Sequence, residues 1–263
     1  MSTKEQSATL LRLNKQEQVR AFQAVGFTDM TEESRASEFG QRIKWVGGLL
    51  DLCLACNCIE DNSKWYLTAS EWASLTSANK QKFIKRGLRM RAHGRSFVIA
   101  AQDCYDPNTG TLFYYGGQGK AIDGLSTTGL GKMYKSFTGE EDTDLIISAL
   151  KGTNNGGVIG APAAEAAKSY KAFTLAGDGL EDDTNWFLPS SGYLMLAAWY
   201  RDEINLAMRT FWSSDSMLLT DKEYWASTIW DSNSAWTVWL NTGHLLVQNK
   251  NAGQFHVRAF AAE

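Results

Sequence analysis

Residues 235–260 read AWTVWLNTGHLLVQNKNAGQFHVRAF, and this stretch decides the fold. Apolar and polar side chains alternate along three short runs of it, and a period of two residues is typical of β-strands. The runs are 236–241, 244–248 and 255–258. Asn and Gly residues fill the two connections, where they tolerate the left-handed backbone of tight turns. The sequence therefore predicts three short antiparallel strands joined by two hairpin turns.

Helical patterns precede these strands. A helix is predicted over about 191–208, where Leu194, Ala198 and Ile204 share one face. Further helices are predicted from the capping box Thr68-Ala-Ser-Glu71 to a stop at Gly87, near Glu140–Leu150, and from Pro162. After Gly87 the period drops to two as far as Ala100, which predicts strands. Helices and antiparallel strands together indicate the α+β class.

The first residues differ from the rest. Residues 1 to about 60 carry apolar side chains in a loose 3.6-residue pattern, which predicts a helical segment for attachment or oligomerisation. The first twenty residues are polar and hold no apolar core of the kind that a secretory signal needs. Nowhere do about 18 apolar residues follow one another, so we expect neither Sec export nor insertion into a membrane.

Composition excludes some classes of function. The chain has 263 residues, with 26 Lys and Arg against 29 Asp and Glu, and a formal net charge of −3. A nucleic-acid partner is not expected, because binding to phosphates relies on a surplus of basic residues. Aromatic residues make up 12% of the chain, which is typical of a folded protein.

Motifs for catalysis and metal binding are weak. Cys53-x-x-Cys56-x-Cys58 could be half of a zinc site, but the segment is apolar and only the distant Cys104 could add a ligand, so buried free cysteines are the favoured interpretation. The acidic residues between Asp178 and Asp183 could bind Ca²⁺ or form a solvated loop. No Walker A or G-x-S-x-G motif occurs. The three histidines, His93, His244 and His256, are predicted at exposed strand positions. We therefore expect no catalytic residue, no metal, no cofactor and no enzyme activity.

Four short motifs follow one another in a recognisable order: Asn185-Trp-Phe-Leu-Pro-Ser190, Tyr224-Trp-Ala-Ser-Thr228, Ala235-Trp236 and Val257-Arg-Ala-Phe260. This order resembles the C-type-lectin-like domain of proteins from phages and gut Bacteroidales, including the variable proteins of diversity-generating retroelements. The resemblance is strongest over 185–263 and looser upstream. It implies a helical segment over 1–60 followed by a lectin-like domain over 61–263.

Two departures limit what the resemblance carries. The chain lacks the E-P-N and Q-P-D tripeptides through which sugar-binding members hold Ca²⁺, so calcium-dependent binding is not implied. The formylglycine-generating branch uses cysteines in its C-terminal part, and this chain has none after Cys104.

The resemblance also implies a ligand-binding face on the closing strands and loops. Buried-type positions there are Trp225, Trp236, Val238, Leu245, Val247 and Val257. The predicted ligand-binding residues, at outward positions or in turns, are Trp230, Asp231, Ser232, Asn233, Thr237, Trp239, Asn241, His244, Gln248, Asn251, Gln254 and His256. Indole faces and amides are suited to contact with a sugar or a protein. The alternative interpretation is that Trp230 and Trp239 are half-buried packing residues.

The function that follows is that of a phage virion protein, a fibre or decoration subunit, assembled in the host cytoplasm. Its expected partners are a glycan or protein of the host cell surface, other virion proteins, and further copies of the chain, with a trimer as one option. One alternative is a purely structural virion subunit that packs on another capsid or tail chain. The other is an enzyme of the formylglycine-generating-like superfamily, which would need a metal or a reactive thiol.

Overall fold

Short helices and mostly antiparallel strands alternate in the computed structural model, which describes residues 50–125, 135–173, 182–212 and 218–263. The fold is therefore α+β, as predicted. The chain divides into two units. Unit one holds the described residues up to Val98, those from Asp202 to 212, and Glu263; unit two holds the remainder.

Unit one is built around antiparallel strands. They are β1 (Asp51–Cys58), β2 (Lys64–Leu67) and β3 (Phe83–Ala92), with β1 paired between β2 and β3, and they are followed by β4 (Arg95–Ala100), which ends in unit two. Arg89 holds this sheet to the C-terminal residue of the chain. Its guanidinium lies 2.5 Å from Asp51 Oδ2 and 3.0 Å from Glu263 Oε1, and 4.8 Å from the centre of the Tyr66 ring. Arg89 is one of seven Lys and Arg residues between Lys80 and Arg95, and its charge is paired within unit one.

Two helices predicted in unit one extend too far along the sequence. Residues 51–58 form β1 and not the end of a helical segment, while the predicted helix before residue 50 lies outside the described residues. The capping box at Thr68 is present, with Thr68 N donating to Glu71 Oε2 at 2.8 Å, but α1 (Ala69–Ser74) and α2 (Ser77–Lys80) end well before Gly87. Gly87 lies within β3 opposite Ala55, because pairing with β1 continues over eight residues and overrides the local helical signal.

Unit two contains a five-stranded sheet in the order β11-β10-β9-β12-β5. Its strands are β5 (Leu112–Phe113), β9 (Glu223–Ile229), β10 (Ser234–Trp239), β11 (His244–Asn249) and β12 (Phe255–His256). Two smaller antiparallel pairs join β6 (Asn154–Asn155) to β7 (Val158–Ile159), and β8 (Trp186–Phe187) to β13 (Phe260–Ala262). Backbone hydrogen bonds also tie distant parts of the chain together, from Ala100 N to Ala259 O at 2.9 Å and from Cys104 N to Val257 O at 2.8 Å.

Four helices complete the described part of the chain: α3 (Gly139–Leu150), α4 (Pro162–Lys168), α5 (Ser191–Trp199) and α6 (Arg201–Phe211). Most of α6 lies in unit one, and the other three helices lie in unit two. Helices α3 and α5 pack on β9. The predictions near Glu140–Leu150 and from Pro162 are confirmed, whereas the predicted helix 191–208 is broken at Tyr200 into α5 and α6. None of the helices described here has the length and apolarity needed to cross a membrane.

Large aromatic side chains form the core of unit two. Trp225 is completely buried, donates from Nε1 to Phe113 O at 2.7 Å, and packs edge-on against Tyr115 and Phe255. Trp186 is buried as well, and its Nε1 donates to Asp182 Oδ2 at 2.7 Å. The motifs that carry the family resemblance therefore supply core residues.

Of the two hairpins predicted over 235–260, only the first is present. β10 and β11 pair antiparallel through the turn at 241–243, where Gly243 has φ 69°. The strand β12 does not return to β11: it pairs antiparallel with β5 and parallel with β9. This pairing leaves β11 at the end of the sheet order, so Val247, predicted to be buried, is 42% exposed and Leu245 is half-buried.

Candidate ligand-binding face

The β10–β11 hairpin positions the first group of predicted site residues. Trp239 and His244 are directly opposite each other in the register, which places their side chains on one face of the sheet. Both are exposed, Trp239 by 40%. Asn241 is exposed in the turn that follows. We call these three residues, together with Trp199, Arg201 and Asp221, the hairpin end.

Hydrogen bonds fix the side chains of the hairpin end. Trp239 Nε1 donates to Asp221 Oδ1 at 2.5 Å, and Arg201 Nη1 donates to Asn241 Oδ1 at 2.6 Å. Trp199 ends helix α5 and is 37% exposed; a Cβ on Gly243 would lie 3.9 Å from its ring. The indole of Trp239 is thus held by its N–H while its ring remains accessible. This arrangement presents a flat apolar surface beside amide, imidazole and guanidinium groups.

Sequence reasoning missed three members of the hairpin end. Trp199, Arg201 and Asp221 lie outside the strand patterns on which the prediction rested. Trp199 lies in the middle of the predicted helix 191–208, and only the break at Tyr200 places it at a helix end beside the turn.

Thr237 is a correction. It was predicted at an outward position and is completely buried. The pairing of β10 with β9 shifts register between Ala235 and Thr237, and the Thr237 hydroxyl donates to Glu223 Oε1. Gln248 Nε2 donates to the same oxygen at 2.7 Å. Gln248 and Glu223 are half-buried, so this part of the face is a polar bridge across three strands.

The second group of predicted residues forms the turn between β9 and β10. Asp231 Oδ1 accepts from the N–H groups of Asn233 at 2.8 Å and Ser234 at 2.7 Å, which stabilises the turn. Trp230 is exposed at its edge and packs perpendicular to the buried Trp236, with ring centres 5.4 Å apart. This turn and the hairpin end lie at opposite ends of β10, roughly 17 Å apart by the rise of a strand. The predicted residues therefore form two patches and not one site.

A buried lysine supports the 230–233 turn. Lys250 is completely buried, its Nζ donates to Ser232 O at 3.1 Å, and its ammonium lies 5.5 Å from the centre of the Tyr115 ring. Burial lowers the pKa of Lys250 to about 8, and the charge of Asp231 opposes that shift. The sequence prediction did not assign a role to Lys250.

The remaining predicted residues lie apart from both patches or inside the fold. Asn251 is half-buried and donates from Nδ2 to Asn155 O at 2.7 Å, and Gln254 is exposed in the following turn. His256 is a correction: it was predicted to be exposed and is buried beside Tyr224, since β12 is enclosed between β9 and β5. Burial lowers the pKa of His256.

Beneath these strands lies an ion pair that sequence reasoning missed. Arg258 is 1% exposed and its Nε lies 2.7 Å from Asp103 Oδ1. The Tyr224 hydroxyl donates to Asp103 Oδ2 at 3.2 Å. The motifs at 224–228 and 257–260 are therefore joined through a carboxylate that lies 121 residues before Tyr224 and 155 residues before Arg258. The contact rigidifies the base of the sheet.

A cleft on the surface of unit two was also not predicted. It has a volume of about 900 Å³ and a mixed lining, in which Tyr105, Tyr114, Ile159 and Tyr170 stand beside charged residues such as Asp106, Glu165 and Lys171. Tyr105 is 70% exposed there. Such a cleft is large enough to hold a small ligand.

Cys56 and Cys104 are buried free thiols. Burial raises the pKa of Cys56 and that of Cys104 to about 12, which disfavours the reactive thiolates. Over residues 50–125, 135–173, 182–212 and 218–263, no cluster of three or more His, Cys, Asp and Glu residues could hold a metal ion. The part of the acidic segment from Asp178 to Glu181 lies outside these ranges.

A scan against protein-family models found no match, and a search of curated proteins found none either. Among solved structures, the chain is similar to a fimbrial protein from Bacteroides ovatus, with 14% sequence identity and a TM-score of 0.41. The similarity covers 81% of this chain and 43% of the fimbrial protein chain. The chain therefore spans less than half the length of that protein, and an identity and TM-score of this size do not assign a function.

Proposed function

We propose that the chain is a non-enzymatic recognition subunit with a C-type-lectin-like domain, which binds a glycan or a protein on a host cell surface. The observation that supports this proposal is the hairpin end. An exposed Trp239 ring beside His244 and Asn241 is held on a sheet whose core is dense in buried aromatics. Trp is enriched where binding energy is concentrated, because its large rigid face loses little entropy on contact.

The place of the protein in a phage particle is part of the same proposal and rests on the family resemblance of the motifs at 185–190, 224–228 and 257–260. In a fibre or decoration subunit, other virion proteins and further copies of the chain would be permanent partners. Many copies on one particle would raise the avidity of weak single sites. Binding is proposed to be independent of Ca²⁺, because the chain lacks the calcium-holding tripeptides.

Replacing Trp239 by Ala should weaken adsorption of the purified full chain to susceptible bacterial cells by about tenfold or more, since truncating a hot-spot aromatic residue costs about 2 kcal/mol or more and about 1.4 kcal/mol is tenfold. His244→Ala should weaken it less. The measurement is depletion of protein from solution by whole cells of a panel of gut Bacteroidales strains. Addition of EDTA should leave adsorption unchanged.

The matched control is Trp65→Ala, because Trp65 is an equally exposed tryptophan, at 48%, but lies in unit one. Adsorption should survive this change, and circular dichroism should show that both variants are folded. If Tyr105→Ala abolished adsorption while Trp239→Ala did not, the cleft and not the hairpin end would be the binding site. Equal adsorption of all variants would contradict the proposal.

The structural alternative makes a different prediction for the same residues. If the exposed tryptophans pack against another capsid or tail chain, Trp230→Ala and Trp239→Ala should impair particle assembly and leave adsorption of assembled particles unchanged. The enzymatic alternative would need a metal or a reactive thiol at Cys53, Cys56, Cys58 or Cys104, and a catalytic activity that is lost when all four are changed to Ser would support it.

A further inference from the structure

The strand β11 lies at one end of its sheet, and within the described residues it lacks the usual protection of an edge. Natural edge strands are kept from pairing with other chains by short length, charged residues, Pro or bulges. β11 is six residues long, reads HLLVQN, contains no Lys, Arg, Asp, Glu or Pro, and pairs with β10 over six positions without a register shift. Val247 is 42% exposed on it.

The other strands at the ends of the described sheets differ from β11. β5 and β8 are only two residues long. β2 has four residues and begins with Lys64. Protection is therefore missing at β11 in particular, while it is present at the other sheet ends within the described residues.

The backbone groups that β11 directs outward can be assigned. Lys250 N donates to Asn233 O at 3.0 Å, just beyond the paired strands and in the same register. Hydrogen-bonded pairs alternate along an antiparallel ladder, so residues 244, 246 and 248 also direct their backbone groups toward β10. Leu245 and Val247 accordingly direct their N–H and C=O groups away from the sheet, where a further strand could bind.

We propose that the occupant of this edge is β11 of a second copy of the chain, paired antiparallel about a two-fold axis at Leu246. In this register Leu245 pairs with Val247 of the second copy, Leu246 with Leu246, and His244 with Gln248. Every apolar side chain meets an apolar one, and every polar side chain of these five residues meets a polar one. The pairing also uses the outward backbone groups of both Leu245 and Val247, which is the arrangement expected of an isologous interface.

Such a dimer joins two five-stranded sheets into one continuous sheet. Because Trp239, His244 and Leu246 share one face, both hairpin ends lie on the same face of the joined sheet. Two binding sites would then face the same cell surface, which increases avidity without any new contact. The dimer itself does not depend on the proposed function, since its evidence is the edge strand and not the hairpin end.

The test is the oligomeric state of the purified full chain, measured by light scattering and by sedimentation, together with site-directed cross-linking. Leu246→Cys should form an intermolecular disulfide on mild oxidation, because directly opposed Cβ atoms in such a pair are about 4.5–5.5 Å apart, close to what a disulfide needs. Leu245→Cys should not form one, since the register places it opposite Val247. The native cysteines are present in both variants, so the difference between the two isolates the new pair.

The second test places a charged residue on the β11 edge. Val247→Lys should raise the dissociation constant of the dimer by about tenfold or more, because Lys on an edge strand opposes pairing. Ala252→Lys adds the same charge at an exposed turn beyond the strand and should leave the dimer intact. A monomer at all concentrations would overturn the proposal. So would a disulfide through Val247→Cys but not through Leu246→Cys, or an oligomer unaffected by Val247→Lys.

Discussion

Replacing Arg258 by Met should lower the free energy of unfolding of unit two by about 3–5 kcal/mol, because it removes a buried guanidinium and leaves the carboxylate of Asp103, whose side chain is only 12% exposed, without its counter-ion. Arg258 Nε lies 2.7 Å from Asp103 Oδ1, and its terminal nitrogens donate to the carbonyl groups of Ala100, Ala101 and Leu218 at 2.8–3.1 Å. A side chain of similar length but without donors leaves all these acceptors unpaired. Since whole domains are stable by about 5–15 kcal/mol, this is a large fraction.

Denaturant unfolding followed by tryptophan fluorescence would measure this effect. Arg91→Met is the matched control: Arg91 is also paired with a carboxylate, Glu263 Oε2 at 3.5 Å, but it is 55% exposed, so its loss should cost at most about 1 kcal/mol. Asp103→Asn combined with Arg258→Met should recover part of the loss, because the uncompensated charge is gone. Equal stability of the two single variants would show that Arg258 does not hold the base of the sheet.

Asp142 should make unit two less stable as the pH rises from about 4 to about 7, and Asp142→Asn should remove this dependence. Burial raises the pKa of Asp142 from 3.8 to about 6, although Ser227 and Thr138 each donate to its Oδ2 at 2.9 Å. A carboxyl with a raised pKa in the folded state contributes stability that is complete below pH 3.8 and is lost as the pH rises through 6. The shift corresponds to about 3 kcal/mol between the two ends of this range.

The measurement is the difference in unfolding free energy between the wild-type protein and Asp142→Asn at pH 4 and at pH 7.5. Relative to the wild type, the unfolding free energy of Asp142→Asn should be about 3 kcal/mol higher at pH 7.5 than it is at pH 4. Ser227→Ala provides a second check, because it removes a hydrogen bond that stabilises the charged form and should enlarge the pH dependence. Parallel pH profiles for the wild type and Asp142→Asn would contradict the assignment.

Local signals predicted the elements that depend on neighbouring residues. The capping box at Thr68, the helix from Pro162 and the turn at Gly243 each follow from the backbone preferences of a few consecutive residues, and all three are present. The buried position of Trp236 followed from the period-two pattern for the same reason, while that of Trp225 was implied by the family resemblance.

Features that depend on pairing between distant segments could not be predicted from local signals. β12 looked like the third strand of a meander, but it inserts between β9 and β5, which buries His256 and exposes Val247. The register shift at Thr237 arises from pairing with β9, and nothing in the sequence of β10 indicates it. In the candidate site, the strand residues were predicted, while Arg201 and Asp221 come from other segments of the chain and reach it only in the folded protein.

The bonds that tie residues 100–104 to residues 257–259 also bear on how the protein is made. About 150 residues separate these segments, and translation at about 5–20 residues per second needs roughly 8–30 s to cover them. Trp186, Trp225 and Trp236 are all synthesised within that interval, before the segment that completes their enclosure. We therefore expect newly made chains to expose aromatic side chains that the folded protein buries, and to be prone to association until synthesis reaches residue 259.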